Sequence, residues 1–120
     1  MGNGSILLID DDLDQLSILG SMLGNLPYPL ETALNGQRAL EMLQEEVPAL
    51  VITDLVMPDI SGSEIIRTIR EDPRLANTRI IIITSLMKYV SDEDRQLADL
   101  VIIKPAKKNE LVGAVHQLLG

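Results

Sequence analysis

The chain has 120 residues, room for one compact domain but not two. A net charge of −8 works against binding a phosphate backbone, and aromatics at 2% with no Phe or Trp leave little to stack on bases, so nucleic acid is not an expected partner. Cysteine is absent, which excludes disulfides and thiol chemistry and fits a cytoplasmic setting, and no apolar run approaches the ~20 residues of a membrane helix.

Residues 1–4 read as a short disordered leader, with neither a signal-peptide nor a myristoylation pattern, and the domain is expected over 5–120. Ser5 to Ile9 is the first predicted strand. Leu13, Leu16, Leu19, Met22, Leu23 and Leu26 then recur in steps of three and four, the mark of one face of a helix, which Pro27 is expected to end. Leu30 to Leu34 is a short second strand, and Asn35-Gly36 opens a helix carrying Ala39, Leu40, Leu43 and Val47 that Pro48 closes.

Ala49 to Thr53 is apolar without alternation, as in a central strand covered on both faces. Ile65, Ile66 and Ile69 mark a third helix. Ile80 to Ile83 is the fourth strand, the run Ser91-Asp92-Glu93-Asp94 caps a fourth helix, and Leu100 to Ile103 is the fifth strand. Leu111, Val112, Val115, Leu118 and Leu119 form the stripe of a last helix, after which no output domain is expected. Strands alternating with helices argue for an α/β fold, a doubly wound parallel sheet with helices on both faces and an aliphatic core.

In such a sheet the ligand site lies beyond the carboxyl ends of the strands. Those ends carry Asp10-Asp11-Asp12, Asp54, Thr84-Ser85 and Lys104-Pro105. Carboxylates brought together repel unless a cation lies between them, and magnesium, an oxygen-seeking ion that takes one or two carboxylates plus a phosphate oxygen, suits a site built on Asp11 and Asp54. Lys104 and Thr84 would then neutralise and hydrogen-bond a phosphoryl group.

By the order, spacing and type of these residues the chain resembles a response-regulator receiver domain over nearly its whole length. Asp10 and Asp11 match the family's acidic pair, Asp54 in Asp54-Leu55-Val56-Met57-Pro58-Asp59-Ile60-Ser61-Gly62 its phosphorylated aspartate, Thr84 its switch hydroxyl and Lys104-Pro105 its Lys-Pro pair. The resemblance implies a flavodoxin-like five-stranded sheet in order 2-1-3-4-5 with five helices. It implies phosphorylation of Asp54 and a magnesium ion, replaceable by manganese, held by Asp10, Asp11, Asp54 and the Val56 backbone carbonyl. Thr84 and Lys104 would stabilise the phosphoryl group, and the Lys104–Pro105 peptide would be cis, a form that only a bond before proline adopts readily.

The implied phosphodonor is a histidine kinase or a histidine phosphotransfer protein, the output partner is unidentified, and the chain would catalyse nothing beyond its own phosphorylation and slow dephosphorylation. Val56 and Leu86, two residues past Asp54 and Thr84, are apolar, so neither would orient a hydrolytic water. The aromatic that commonly stands three residues before the lysine is here Val101, which has no ring to swing, and the segment from Thr84 to Lys104 is shorter than usual. The response is therefore expected in Thr84, Ser85 and the loop Leu86 to Val90.

Asp12 suits a helix N-cap, His116 a surface position on the last helix and Met57 a core filler. A calcium loop from Asp10 lacks its glycine, since Gln15 stands there. A phosphatase resembling the haloacid dehalogenase group, with Asp10 as nucleophile and Asp12 as acid, lacks the Gly-Thr that should follow. A degenerate receiver serving only as a binding module would have lost an acid or the lysine.

Overall fold

The structure is a computed structural model and describes residues 4–120; apart from Gly4, the expected leader lies outside the described residues. Parallel strands β1 (Ile6–Ile9), β2 (Leu30–Ala33), β3 (Leu50–Thr53), β4 (Arg79–Thr84) and β5 (Leu100–Ile103) form one sheet in the order β2-β1-β3-β4-β5. Between and after them run α1 (Leu13–Leu23), α2 (Gly36–Glu45), α3 (Gly62–Glu71), α4 (Asp92–Leu97) and α5 (Lys108–Leu119). This is the flavodoxin-like arrangement. The switch in strand order falls between β1 and β3, which opens the crevice at their carboxyl ends.

Successive strand residues point to opposite faces, and the two cores divide accordingly. Ile6, Leu8, Leu50, Ile52, Ile81, Ile83 and Ile102 pack with Leu16, Leu19 and Leu23 of α1 and Leu111 and Val115 of α5. Leu7, Ile9, Val51, Ile80 and Ile82 pack with Ala39 and Leu43 of α2 and Ile65, Ile66 and Ile69 of α3. Both cores are aliphatic.

Three sequence expectations shift. The first helix ends at Leu23 with Gly24 as its cap, before Pro27, so Leu26 packs from the following turn. Leu13 is 64% exposed, because the first turn of α1 begins past the end of β1 and has no strand beneath it. Val47 is also exposed, since α2 ends at Glu45.

The fourth helix has only six residues, too few to hold itself by backbone bonds alone. Its start carries the expected cap: the Ser91 hydroxyl accepts from Asp94 N and the Asp94 carboxylate accepts from Ser91 N. Its side is gripped by one polar stripe of α3. Ser63 Oγ donates to Asp94 at 3.0 Å, Arg67 pairs with Glu93 at 3.3 Å, and Arg70 donates to Leu97 O at 2.9 Å and Thr78 O at 2.8 Å. Positions 63, 67 and 70 share one helix face, so a single edge of α3 holds both ends of α4.

Candidate functional site

Asp10, Asp54 and Lys104 each sit one step past a strand whose hydrogen-bond ladder still holds them, Thr84 ends β4, and Asp11 follows Asp10. Asp10 N donates to Ala33 O, Asp54 N to Ile9 O and Lys104 N to Thr84 O, at 3.2, 3.1 and 2.8 Å. The side chains thus start from rigid backbone. Lys104 Nζ lies 2.8 Å from Asp54 Oδ2 and 3.0 Å from Asp10 Oδ2, joining residues 50 and 94 positions away. Carboxylate oxygens of Asp10, Asp11 and Asp54 lie within 4.8 Å of one another.

Asp54 is largely buried, and its Oδ1 accepts from Leu55 N at 2.7 Å and Val56 N at 3.3 Å, which fixes the carboxylate plane and leaves Oδ2 to Lys104. Burial pushes the Asp10 carboxyl above its usual range, and repulsion by Asp54 adds to this; the Asp12 N–H and Lys104 oppose it without cancelling it. Burial alone would lower Lys104, but its hydrogen bonds to Asp54 and Asp10 outweigh that and raise it, so the ammonium stays charged. Thr84 is fully buried, and its Oγ1 has no hydrogen-bond partner among the described residues. A buried hydroxyl without a partner is uncommon in a folded protein, and an ordered water or a bound ligand oxygen would satisfy it.

The donor set fits a hard divalent cation: among the described residues three carboxylates converge with one ammonium, and the group contains no nitrogen or sulfur ligand. The Lys104–Pro105 peptide is cis. The side chains of Val56 and Leu86 are exposed, whereas Val101 is half-buried on β5 against the core that includes Ile82. Met57 is core, and His116 is exposed on α5. Asp12 caps α1, accepting from Asp14 N and Gln15 N, and the helix that starts at Leu13 leaves no calcium loop there.

Gly62 has a structural role that the strand-end motif does not announce. Its N–H donates to Leu55 O at 2.9 Å, and a Cβ at this position would overlap the Asp54 carbonyl oxygen and come within 2.8 Å of Leu55 Cα. Thr53 Oγ1 donates to the same carbonyl at 2.8 Å. The start of α3 therefore presses directly on the backbone of Asp54, and only glycine fits there. A glycine just inside a Ser-capped helix, eight residues past a strand-end acid, was the available signal.

Fold and site together define a doubly wound α/β domain with an oxygen-lined, cation-ready crevice at its switch point. The family model of the response regulator receiver domain matches residues 6–116, and the chain belongs to that family. It is 35% identical to the response regulator receiver protein CpdR of Brucella abortus, over 95% of each chain. It is 32% identical to the probable transcriptional regulator ycf27 of Guillardia theta, covering 95% of this chain but 44% of that protein. Among solved structures, the response regulator TrrA of Thermotoga maritima in complex with Mg2+-BeF superposes with a TM-score of 0.88 at 34% identity, covering 97% of this chain and 99% of that one. Several curated relatives are about twice the length of this chain, which spans 44–49% of them. Membership in this family leaves the phosphatase alternative built on Asp10 without support. Among the described residues no helix is long and apolar enough to cross a membrane.

Proposed function

We propose that the chain is a phosphoacceptor of a two-component or phosphorelay system, and that Asp54 takes the phosphoryl group. The observation that carries this reading is the meeting of Asp10, Asp11, Asp54 and Lys104 in one crevice. An Asp54 carboxylate oxygen attacks the phosphorus of a phosphohistidine on a histidine kinase or phosphotransfer protein. A P–O bond forms, the P–N bond breaks, and the imidazole leaves as the neutral ring after taking a proton.

Magnesium or manganese, held by Asp10, Asp11, Asp54 and the Val56 carbonyl, would supply Lewis acidity and offset the charge of the incoming group. Lys104, already bonded to Asp54, would neutralise the phosphoryl oxygens, and the Thr84 hydroxyl would donate to one of them. The backbone donors on Asp54 Oδ1 keep the carboxylate from turning as the charge builds. A degenerate, binding-only module is less well supported, since every one of these groups is retained.

Output is assigned to Thr84, Ser85 and the loop that follows. Leu86, Met87 and Tyr89 there are each more than 40% exposed, which suits a surface that rearranges when Thr84 acquires an acceptor. Val101 carries no ring to relay the change. Labelling with a small phosphodonor and magnesium, followed by mass spectrometry, tests the core of this: one adduct on Asp54 is expected, and wild-type labelling in Asp54→Asn would overturn it. With magnesium and beryllofluoride, amide exchange should change chiefly over residues 84–92; a response confined to the surroundings of Val101 would contradict the assignment of output.

A further inference from the structure

The loop from Leu55 to Ser61 links Asp54 to α3 and contains Val56, the backbone carbonyl assigned to the metal. It is tied at both ends, by Asp54 Oδ1 to Leu55 N and Val56 N, and by Gly62 N to Leu55 O. Its middle is tied to a different element. The Asp59 carboxylate accepts from Gly36 N at 3.1 Å through Oδ1 and from Gln37 N at 2.9 Å through Oδ2. These are the first two free N–H groups of α2, and the helix's own cap, Asn35, reaches only Arg38 N.

Next to this bridge the two backbones are in direct contact. A Cβ on Gly36 would lie 2.6 Å from Ile60 Cβ and 2.8 Å from Ile60 O. Asp59 has no ion-pair partner among the described residues, and its exposed carboxyl is held below the usual range by the N–H groups of Gln37, Ile60 and Gly36. It is thus an ionised group engaged only with backbone donors, one oxygen on each of two successive N–H groups of another helix. Such a bidentate grip fixes orientation as well as distance. Between Asp54 and Asp59 the loop is further held by Met57, which is buried in the core, and proline limits the freedom of the stretch at position 58.

We propose that Asp59 is a positioning residue for the metal site: by fastening the β3–α3 loop to the first turn of α2 it holds the Val56 carbonyl, and with it the Asp54 carboxylate, in register for a divalent cation. This rests on the phosphoacceptor reading. The alternative is that Asp59 merely caps α2, and the two separate cleanly because Asn35 caps the same helix without touching the loop.

The test compares the full chain with Asp59→Ala, Asp59→Asn and Asn35→Ala, using magnesium titration by calorimetry and amide chemical shifts in EDTA. Asp59→Ala should weaken magnesium binding about three- to tenfold, less than the ~10–100-fold typical of direct outer-shell partners because it acts through backbone. Asp59→Asn should recover part of this, since its amide oxygen can accept one N–H. Asn35→Ala should leave the affinity within about twofold, because no contact to the loop is lost. In EDTA, Asp59→Ala should shift the amides of Asp54, Val56 and Met57, and Asn35→Ala only those around the start of α2. Equal loss of affinity in Asp59→Ala and Asn35→Ala, or unshifted Val56 and Met57 amides in Asp59→Ala, would overturn the proposal. A wild-type chain that binds no magnesium would instead count against the phosphoacceptor reading, and the EDTA shifts would still decide whether Asp59 positions the loop.

Discussion

Removing one charge from the crevice should make the protein more stable and less able to bind metal. Asp11 is exposed, and its carboxylate lies within 4.8 Å of those of Asp10 and Asp54. At that distance and a water-like dielectric each like-charge pair costs ~0.9 kcal/mol, so two such pairs cost roughly 2 kcal/mol, part of which the Lys104 ammonium, bonded to Asp10 and Asp54, offsets. Asp11→Asn should therefore stabilise the metal-free protein by about 1 kcal/mol, most clearly at low salt. In a domain of this size that is a melting-temperature rise of roughly 3–6 °C. Magnesium at 100 times its dissociation constant would add about 2.7 kcal/mol to the wild type. The variant, lacking a ligand, should lose most of that gain. Thermal unfolding followed by circular dichroism, in EDTA and in magnesium, measures both effects. A variant less stable than wild type in EDTA would show that the carboxylates are not in net repulsion. A full magnesium-dependent rise in the variant would show that Asp11 is not a ligand.

Further outcomes follow from single contacts. Gly62→Ala forces a methyl group against the Asp54 carbonyl and should destabilise the fold by about 3 kcal/mol in urea unfolding while lowering phosphorylation of what remains folded; a neutral variant would mean that α3 can back away freely. Arg70→Ala strips donors from Leu97 O and Thr78 O and should cost roughly 2–3 kcal/mol and the exchange protection of α4. Arg79→Ala, whose half-exposed side chain has one 3.1 Å ion pair, should cost under ~0.5 kcal/mol, and equal losses would refute the ranking. Phosphorylated protein should decay slowly after donor removal, because apolar Val56 and Leu86 orient no water; label lost within seconds would contradict this. Asp59 is held below the usual carboxylate range, so the stability it adds should be complete above the unfolded-state value and fade as pH falls through the lower folded one; an NMR titration giving an ordinary midpoint would remove the basis for this.

The architecture was legible in the chain because its signals are local. Alternation of apolar runs with helical periods sets the element order, and an acid or lysine at the end of each key strand marks the crevice whatever the detailed packing. Ser91 and Asp94 also announced their capping box, since its partners are three residues apart. Where the local period misled, at Leu13, Leu26 and Val47, the cause was the end of a helix rather than its face, and periodicity carries little information about ends. What the tertiary structure alone decided are contacts between residues far apart in sequence. Asp59 reaches back 22 and 23 residues to the α2 N–H groups, Arg70 reaches forward 27 to Leu97 O, and Gly62 meets the Asp54 carbonyl only because α3 descends onto β3. No window of sequence contains both partners of the first two, and in each the group contacted is backbone, which every residue type possesses and which therefore leaves no signature in the amino-acid letters.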